Sequence, residues 1–489
     1  MPASLNSEIE KSLLVSAGDV LLVSGETRMT GAEVLKQVER LSLMLETNGC
    51  QPGEMLALRA NSSLEFILAL LACIKTELIV APLSNELSAS GYQEAITRLS
   101  PQIEWDLIEK GSVVRTGLAG SHSELESICP KGGFVRFTSG TTSESKGVLI
   151  SSGRALERIR ATSECFALSR GEVVCSLMDL PYHFIASVLS FILSGVKLVV
   201  PSANSFSSIV AELEREEINI LYGAPFHYQC LVEFGRPLNC LKRAVSTSAS
   251  LHPEVADKFH TIFGFPLFQS LGIIEVGLSV YGPAGGSSLG KAAPGYELKL
   301  FEEEENRGLL GIRGPGGFDA YLSPFMPAQK VLRDGWFVSG DVVELDSEVS
   351  LIGRASSAIN VAGHKVYPES IEEFLLSYSE IQDCRVRGEA HEISGQCLVA
   401  DLVYLGEIDF EEFCLNLRKE CRKTLGRLLT PVKFSSVAQI SKTETGKTSR
   451  YLSQAMSNEL ELAQSVDSFE SNLSQSKLEA QSVASRPVR

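Results

Sequence analysis

The densest set of residues able to do chemistry is Phe134-Val135-Arg136-Phe137-Thr138-Ser139-Gly140-Thr141-Thr142-Ser143-Glu144-Ser145-Lys146-Gly147-Val148. A strand-like apolar run enters small hydroxyl residues around one glycine, then meets a lysine, then a second apolar run. Backbone N–H groups, hydroxyls and one lysine in this arrangement can ring a polyphosphate. A Ser/Thr-rich surface turn has the same local composition, and the strands on each side together with Lys146 favour the phosphate loop. The spacing is not Gly-x-x-x-x-Gly-Lys-Ser/Thr. Gly446-Lys447-Thr448 has that ending, but Ser441 stands where its first glycine belongs. Three further residues stand out. Glu275 lies inside the apolar stretch 271–280, where an unpaired charge is costly. Asp341 sits between Gly340 and Val342 at the end of a strand-like run, and a turn Asp would look the same. His183, beside Phe184 and Ile185, fits either a pocket wall or a satisfied core position.

These residues need elements to position them. Residues 32–50 space Val34, Leu35, Val38, Leu41 and Leu45 as a helix does, and Gln51-Pro52-Gly53 ends it. A short apolar run at 55–58, a buried helix at 64–74 and a second run at 78–83 follow. The alternation recurs over 156–200 and 209–245, which is the signature of a mostly parallel sheet covered by helices. After Gly308 the texture changes to short β-like runs at 309–313, 335–338, 342–345 and 349–352. From Arg354 a further unit carries helices over 369–378 and 410–425. The expected fold is α/β: a large N-terminal domain, 1–353, of helix-covered and mostly parallel sheets with a β-rich subdomain, then a small, mobile α+β C-terminal domain, 354–455. Residues 456–489 read as a disordered tail; beyond Arg450 nine of 39 residues are serine and large apolar groups are few.

The composition sets bounds on the partners. The chain of 489 residues has 44 Lys plus Arg against 60 Asp plus Glu, a net charge of −16, which argues against a nucleic-acid-wrapping surface but not against nucleotide binding. Eleven scattered cysteines with no C-x-x-C pair read as small buried hydrophobes in a reducing compartment. The dispersed histidines suggest no transition-metal centre. The N-terminus lacks the basic start and apolar stretch of a signal peptide, and the apolar runs fall short of a membrane span, so a soluble cytoplasmic protein is expected.

Taken in order, the segments resemble the adenylate-forming superfamily, which includes acyl- and aryl-CoA synthetases, luciferases and nonribosomal adenylation domains. The resemblance runs from about Met29 to Arg450. It is carried by Met29-Thr30-Gly31-Ala32-Glu33-Val34, Gly53-Glu54, Ala60-Asn61-Ser62, the loop Thr138, Ser139, Gly140, Thr141, Thr142 through Lys146, Leu180-Pro181-Tyr182-His183, and Leu271-Gly272-Ile273-Ile274-Glu275. Downstream come Gly335 through Asp341, Gly353-Arg354, Gly363 through Glu372, and Lys442 through Arg450. The resemblance implies attack of a carboxylate on the α-phosphate of Mg-ATP, giving an acyl-adenylate and pyrophosphate, and then transfer to a thiol. Charge on the transferring phosphorus must be neutralised, which calls for lysines, a metal and fixed N–H donors. By resemblance, Lys447 acts between carboxylate and phosphate and Glu275 holds Mg2+. Asp341 accepts both ribose hydroxyls, Arg354 reaches ribose or phosphate near a hinge, and His183 walls the acid pocket. Tyr222-Gly223-Ala224-Pro225-Phe226-His227 and the segment with Ser248 and Ala249 resemble linings of the acid and adenine pockets, and Leu271 and Gly272 belong to the same nucleotide site.

The sequence also departs from the family pattern. Ser143 and Ser145 replace a glycine and a proline, Ile274 replaces a threonine whose hydroxyl touches phosphate or metal-bound oxygen, Ser356-Ser357 replaces a Lys-Asp hinge, and Ser441 replaces a proline. Because Lys146, Glu275, Asp341, Arg354 and Lys447 remain, the expectation is an active acid–thiol ligase using ATP, Mg2+ and CoA. A ligase loading a separate acyl carrier protein and a catalytically weak nucleotide-binding homologue remain as alternatives. The acid itself is not fixed by any of these segments.

Overall fold

The computed structural model describes residues 4–108, 111–118, 123–137, 146–202, 205–249, 251–285, 288–391 and 395–441. Six parallel strands form one flank of a 13-stranded sheet: Val20–Ser24, Lys197–Val199, Val173–Ser176, Ile220–Gly223, Arg243–Ser246 and Phe268–Ile273. The sheet then reverses. Gly277–Pro283 runs antiparallel to Phe268–Ile273, and every later neighbour (Ser288–Ala292, Val349–Arg354, Phe337–Leu345, Arg307–Arg313, Glu297–Glu304) pairs antiparallel as well. The antiparallel region thus begins at Gly277, not after Gly308, and continues the parallel sheet.

A second, eight-stranded sheet carries the Ser/Thr-rich segment. Gly133–Phe137 lies parallel to Ile79–Ser84 and pairs antiparallel with Gly147–Ser151, so residues 138–146 connect two adjacent strands. Between the sheets runs the helix Leu64–Lys75, with Phe66, Ile67, Leu70, Leu71 and Cys73 all buried. A helix apolar on every side is stable only when enclosed in this way. Ser63 caps it by accepting the Phe66 N–H. A five-stranded sheet built from segments within 359–436, with helices Pro368–Leu376 and Phe410–Thr424, has its own core around Ile371, Val386, Leu402 and Leu417.

The early family-like segment turns out to be structural. Thr30 and Glu33 form a reciprocal capping box on the helix Gly31–Thr47, and Thr30 donors hold the Glu33 carboxyl below its ordinary range. Gly31 is required because a Cβ there would lie 2.5 Å from the carbonyl oxygens of Leu13 and Ser16. All eleven cysteines are free and seven are buried, and burial pushes the Cys129 thiol up to about 12, which makes it inert. Among the described residues no helix is long and apolar enough to cross a membrane.

Candidate active site

The candidate residues cluster beyond the carboxyl ends of the parallel strands. His183 follows Val173–Ser176, Ser248 and Ala249 follow Arg243–Ser246, and Leu271 and Gly272 close Phe268–Ile273. In open α/β sheets this edge, at a switch in strand order or direction, is where ligands bind. The segment with Thr138, Ser139, Gly140, Thr141 and Thr142 leaves the end of Gly133–Phe137; these five residues and Lys447 lie outside the described residues.

Glu275 occupies the turn that reverses the sheet, and it is only 8% exposed. Two features hold it. The Tyr321 hydroxyl donates to Glu275 Oε1 at 2.8 Å. Arg158, on the helix Ser152–Cys165, donates to the carbonyls of Ile274 and Glu275, each at 2.7 Å, and to that of Gly316. The Phe318 N–H also donates to the Glu275 carbonyl at 2.7 Å. Gly277 has φ +92, and a Cβ there would lie 2.9 Å from the Tyr296 hydroxyl, so glycine is needed at the point where the chain turns back. The turn is therefore fixed through its backbone, which leaves the Ile274 side chain half-buried against the main core.

Lys146 places its ammonium 4.8 Å from the centre of the Tyr321 ring, so one tyrosine joins the loop lysine to the carboxylate. A carboxylate is the hard oxygen donor that magnesium prefers, and that ion is commonly held by one or two carboxylates with phosphates and water completing its shell. Glu275 fits that role. Among the described residues no cluster of three metal-ligating side chains exists.

His183 ends the short helix Leu180–His183, and its Nε2 lies 3.2 Å from Ser248 Oγ. The start of this helix is set from the other sheet: Ser62 donates to Asp179 at 2.6 Å and accepts the Leu180 N–H at 2.9 Å. That is the physical reason for Ser62 in Ala60-Asn61-Ser62. A π-helical turn, Ile185–Leu189, follows His183, with Ser187 donating to its carbonyl at 2.6 Å; π turns are frequent at functional sites. Burial, with a smaller contribution from the charge of Arg136, pushes the imidazole down to about 3, so His183 is neutral at pH 7. Ser248 takes φ +76, a left-handed conformation uncommon for serine.

Asp341, only 2% exposed, and Arg354 are opposite one another on Phe337–Leu345 and Val349–Arg354 and form an ion pair at 2.8 Å. Arg354 thus orients the carboxylate expected to meet ribose. Phe318 links this pair to Glu275, since its ring packs on Tyr321 at 4.8 Å and on Phe337, in the Asp341 strand, at 5.9 Å. At the expected hinge, Ser357 Oγ lies 2.8 Å from the Arg354 carbonyl and 2.7 Å from the Glu369 carboxylate.

Two residues with evident roles were not singled out from sequence. Arg158 falls on the buried stripe with Ala155, Ile159 and Thr162, so a charge at helical spacing on an apolar face was the available signal. Tyr321 gave no signal, because its meaning comes only from its contacts.

The comparisons agree with this fold. The AMP-binding enzyme family model matches residues 9–103 and 132–322, and the model of the AMP-binding enzyme C-terminal domain matches residues 370–447. The chain belongs to the AMP-binding enzyme family. Among curated members, the oxalate–CoA ligase of Arabidopsis thaliana is 24% identical over 486 residues, covering 88% of this chain and 94% of its own length. The long-chain-fatty-acid–CoA ligase of Yersinia pestis is 25% identical over 377 residues, 72% of this chain and 66% of its own. The solved o-succinylbenzoate–CoA synthetase of Bacillus subtilis, in complex with its acyl-adenylate intermediate, superposes with a TM-score of 0.80 at 19% identity, over 91% of this chain and 96% of that one. The family's fold, a large sheet domain followed by a smaller C-terminal one, is the fold seen in this chain.

Proposed function

We propose that this AMP-binding enzyme activates a carboxylic acid with ATP as an acyl-adenylate, releasing pyrophosphate, and then transfers the acyl group to the thiol of CoA. The observation that carries the proposal is the placement of His183 and Ser248 beyond the carboxyl ends of the parallel strands, with Glu275 at the turn where the sheet reverses and Tyr321 reaching it from the eight-stranded sheet. The named CoA ligases among its relatives support the same reaction.

The roles divide by chemistry. Neutral His183, held by Ser248, walls the acid pocket and supplies a polar group without adding charge. Asp341, oriented by Arg354, accepts the ribose hydroxyls. Lys146 and the segment Thr138 to Thr142 surround the phosphates, and Lys447 is brought to the α-phosphate by movement of the small domain about Arg354. Magnesium held by Glu275 supplies charge neutralisation to the phosphates. Leu271, Gly272 and Ala249 line the nucleotide side. We take the large domain as 1–353 and the small one as 354–455, and eleven free thiols favour a cytoplasmic setting.

The test is acid-dependent exchange of labelled pyrophosphate into ATP, followed by thioester formation with CoA or a purified acyl carrier protein. Exchange followed by CoA thioester is the expected result. Nucleotide binding with no exchange from any acid would overturn the ligase reading, and discharge only to a carrier protein would replace CoA as the acceptor.

A further inference from the structure

Tyr321 touches two groups of the candidate site that come from different sheets. It lies on Ala320–Leu322 in the eight-stranded sheet, in register with Val148 of Gly147–Ser151, the strand that Lys146 enters. The residue is buried, and its ring packs on Phe318 at 4.8 Å. A phenol is protonated at pH 7, so its hydroxyl is the donor in the 2.8 Å contact with Glu275 Oε1. Among the described residues that is the one hydrogen bond to the Glu275 side chain. The bonds from Arg158 and Phe318 go to backbone carbonyls. The backbone clamp therefore fixes where Glu275 leaves the chain, and Tyr321 fixes where its carboxylate points. Glu275 Oε2 has no hydrogen-bond partner among the described residues and is not sealed from solvent, so it stays open to a ligand. On the flank of the same ring, the Lys146 ammonium stands 4.8 Å from the centre. A ring face attracts an ammonium without neutralising it, so the positive charge remains for phosphate.

Resting on the ligase reading, we propose that Tyr321 is a positioning residue: its hydroxyl holds Glu275 with Oε2 left for magnesium, and its ring holds Lys146 at the phosphates. Tyrosine suits both tasks at once, because it carries a donor at its tip and a π face along its side. Phenylalanine would hold only the lysine, and a serine or threonine would be too short to reach the carboxylate. A glutamate side chain has three rotatable bonds, and fixing it before the nucleotide arrives removes an ordering cost from binding. A hydrogen bond to the carboxylate that holds a metal tunes affinity in just this way, typically by about 10- to 100-fold.

The experiment is calorimetry with no acid present, so that nothing turns over. ATP in EDTA and MgATP are each titrated into the protein, and the ratio of the two dissociation constants is the gain due to magnesium. Wild type should bind MgATP at least about tenfold more tightly, and Tyr321→Phe, which keeps the ring and deletes the hydroxyl, should erase most of that gain. Its affinity for ATP in EDTA should stay close to that of wild type. In Glu275→Gln the gain should already be small, and adding Tyr321→Phe should change it no further, since the hydroxyl acts only through that carboxylate. Tyr321→Leu removes the ring as well and should in addition weaken ATP in EDTA several-fold, through Lys146. A merely structural tyrosine would weaken both titrations alike. An unchanged ratio in Tyr321→Phe, a fall that persists in the Glu275→Gln background, or no gain from magnesium in wild type would each overturn the proposal. Pyrophosphate exchange on the same proteins tests the ligase reading separately: its absence with every acid would end that reading, while the calorimetric ratio still decides the role of Tyr321.

Discussion

Arg158→Met is the sharpest perturbation of the turn that carries Glu275. The guanidinium donates to three backbone carbonyls, those of Ile274, Glu275 and Gly316, and no ion pair among the described residues includes it. Hydrogen bonds to a charged group contribute roughly 1.5–3 kcal/mol each, so three amount to roughly 5–9 kcal/mol. Against this, burial holds Arg158 down from 12.5 to about 10. At about 1.4 kcal/mol per pH unit that is about 3 kcal/mol of penalty on the charged form, which methionine removes. The net expectation is a loss of roughly 2–6 kcal/mol in urea unfolding, with the apolar stem largely replaced by methionine. Arg158→Lys separates geometry from charge: it keeps a cation but cannot present a planar fork to three carbonyls, so it should fall between wild type and Met. In pyrophosphate exchange, Lys should lose activity even where it remains folded, because the Glu275 turn has lost its clamp. Stability of the Met variant within about 1 kcal/mol of wild type, together with undiminished exchange, would refute the reasoning.

Three further outcomes are expected. His183 is held at about 3 in the folded chain against 6.5 when unfolded, so the unfolded state binds the extra proton between those values; stability contributed by neutral His183 is intact above pH 6.5 and is lost at up to about 1.4 kcal/mol per pH unit as pH falls toward 3. His183→Asn should flatten this part of the acid limb when urea midpoints at pH 7.5 and 5.5 are compared with wild type, and an unchanged limb would show that the imidazole is not desolvated. Asp341→Ala should raise the KM for ATP at least about tenfold by removing ribose contacts to a charged acceptor, and an unchanged KM would leave Asp341 only its pairing with Arg354. Lys447→Ala should abolish adenylation while sparing thioester formation from a supplied acyl-adenylate, and wild-type exchange in that variant would end its assignment.

Whether a residue was legible in the sequence depended on whether its meaning is local. Glu275, Asp341, Lys146 and His183 could be nominated because their chemistry resides in the side chain itself, and the structure places each beside a partner that suits it. The helix Gly31–Thr47 was legible for the same reason, since its apolar spacing and its Thr30–Glu33 cap lie within one stretch of chain. The reversal of the sheet was not. Its turn, Ile273-Ile274-Glu275-Val276, has no residue that marks a turn until Gly277, and the stretch reads as one continuous apolar run. What bends it is Arg158, more than a hundred residues earlier in the chain, acting with Phe318 on backbone carbonyls. The same fact accounts for how isoleucine stands at 274 without disturbing Glu275. Because the clamp grips the carbonyl and not the side chain, substitution at 274 leaves the geometry of the turn in place. It alters only what that side chain offers to the site, so the departure from the family pattern bears on rate or substrate preference and not on whether the carboxylate is positioned.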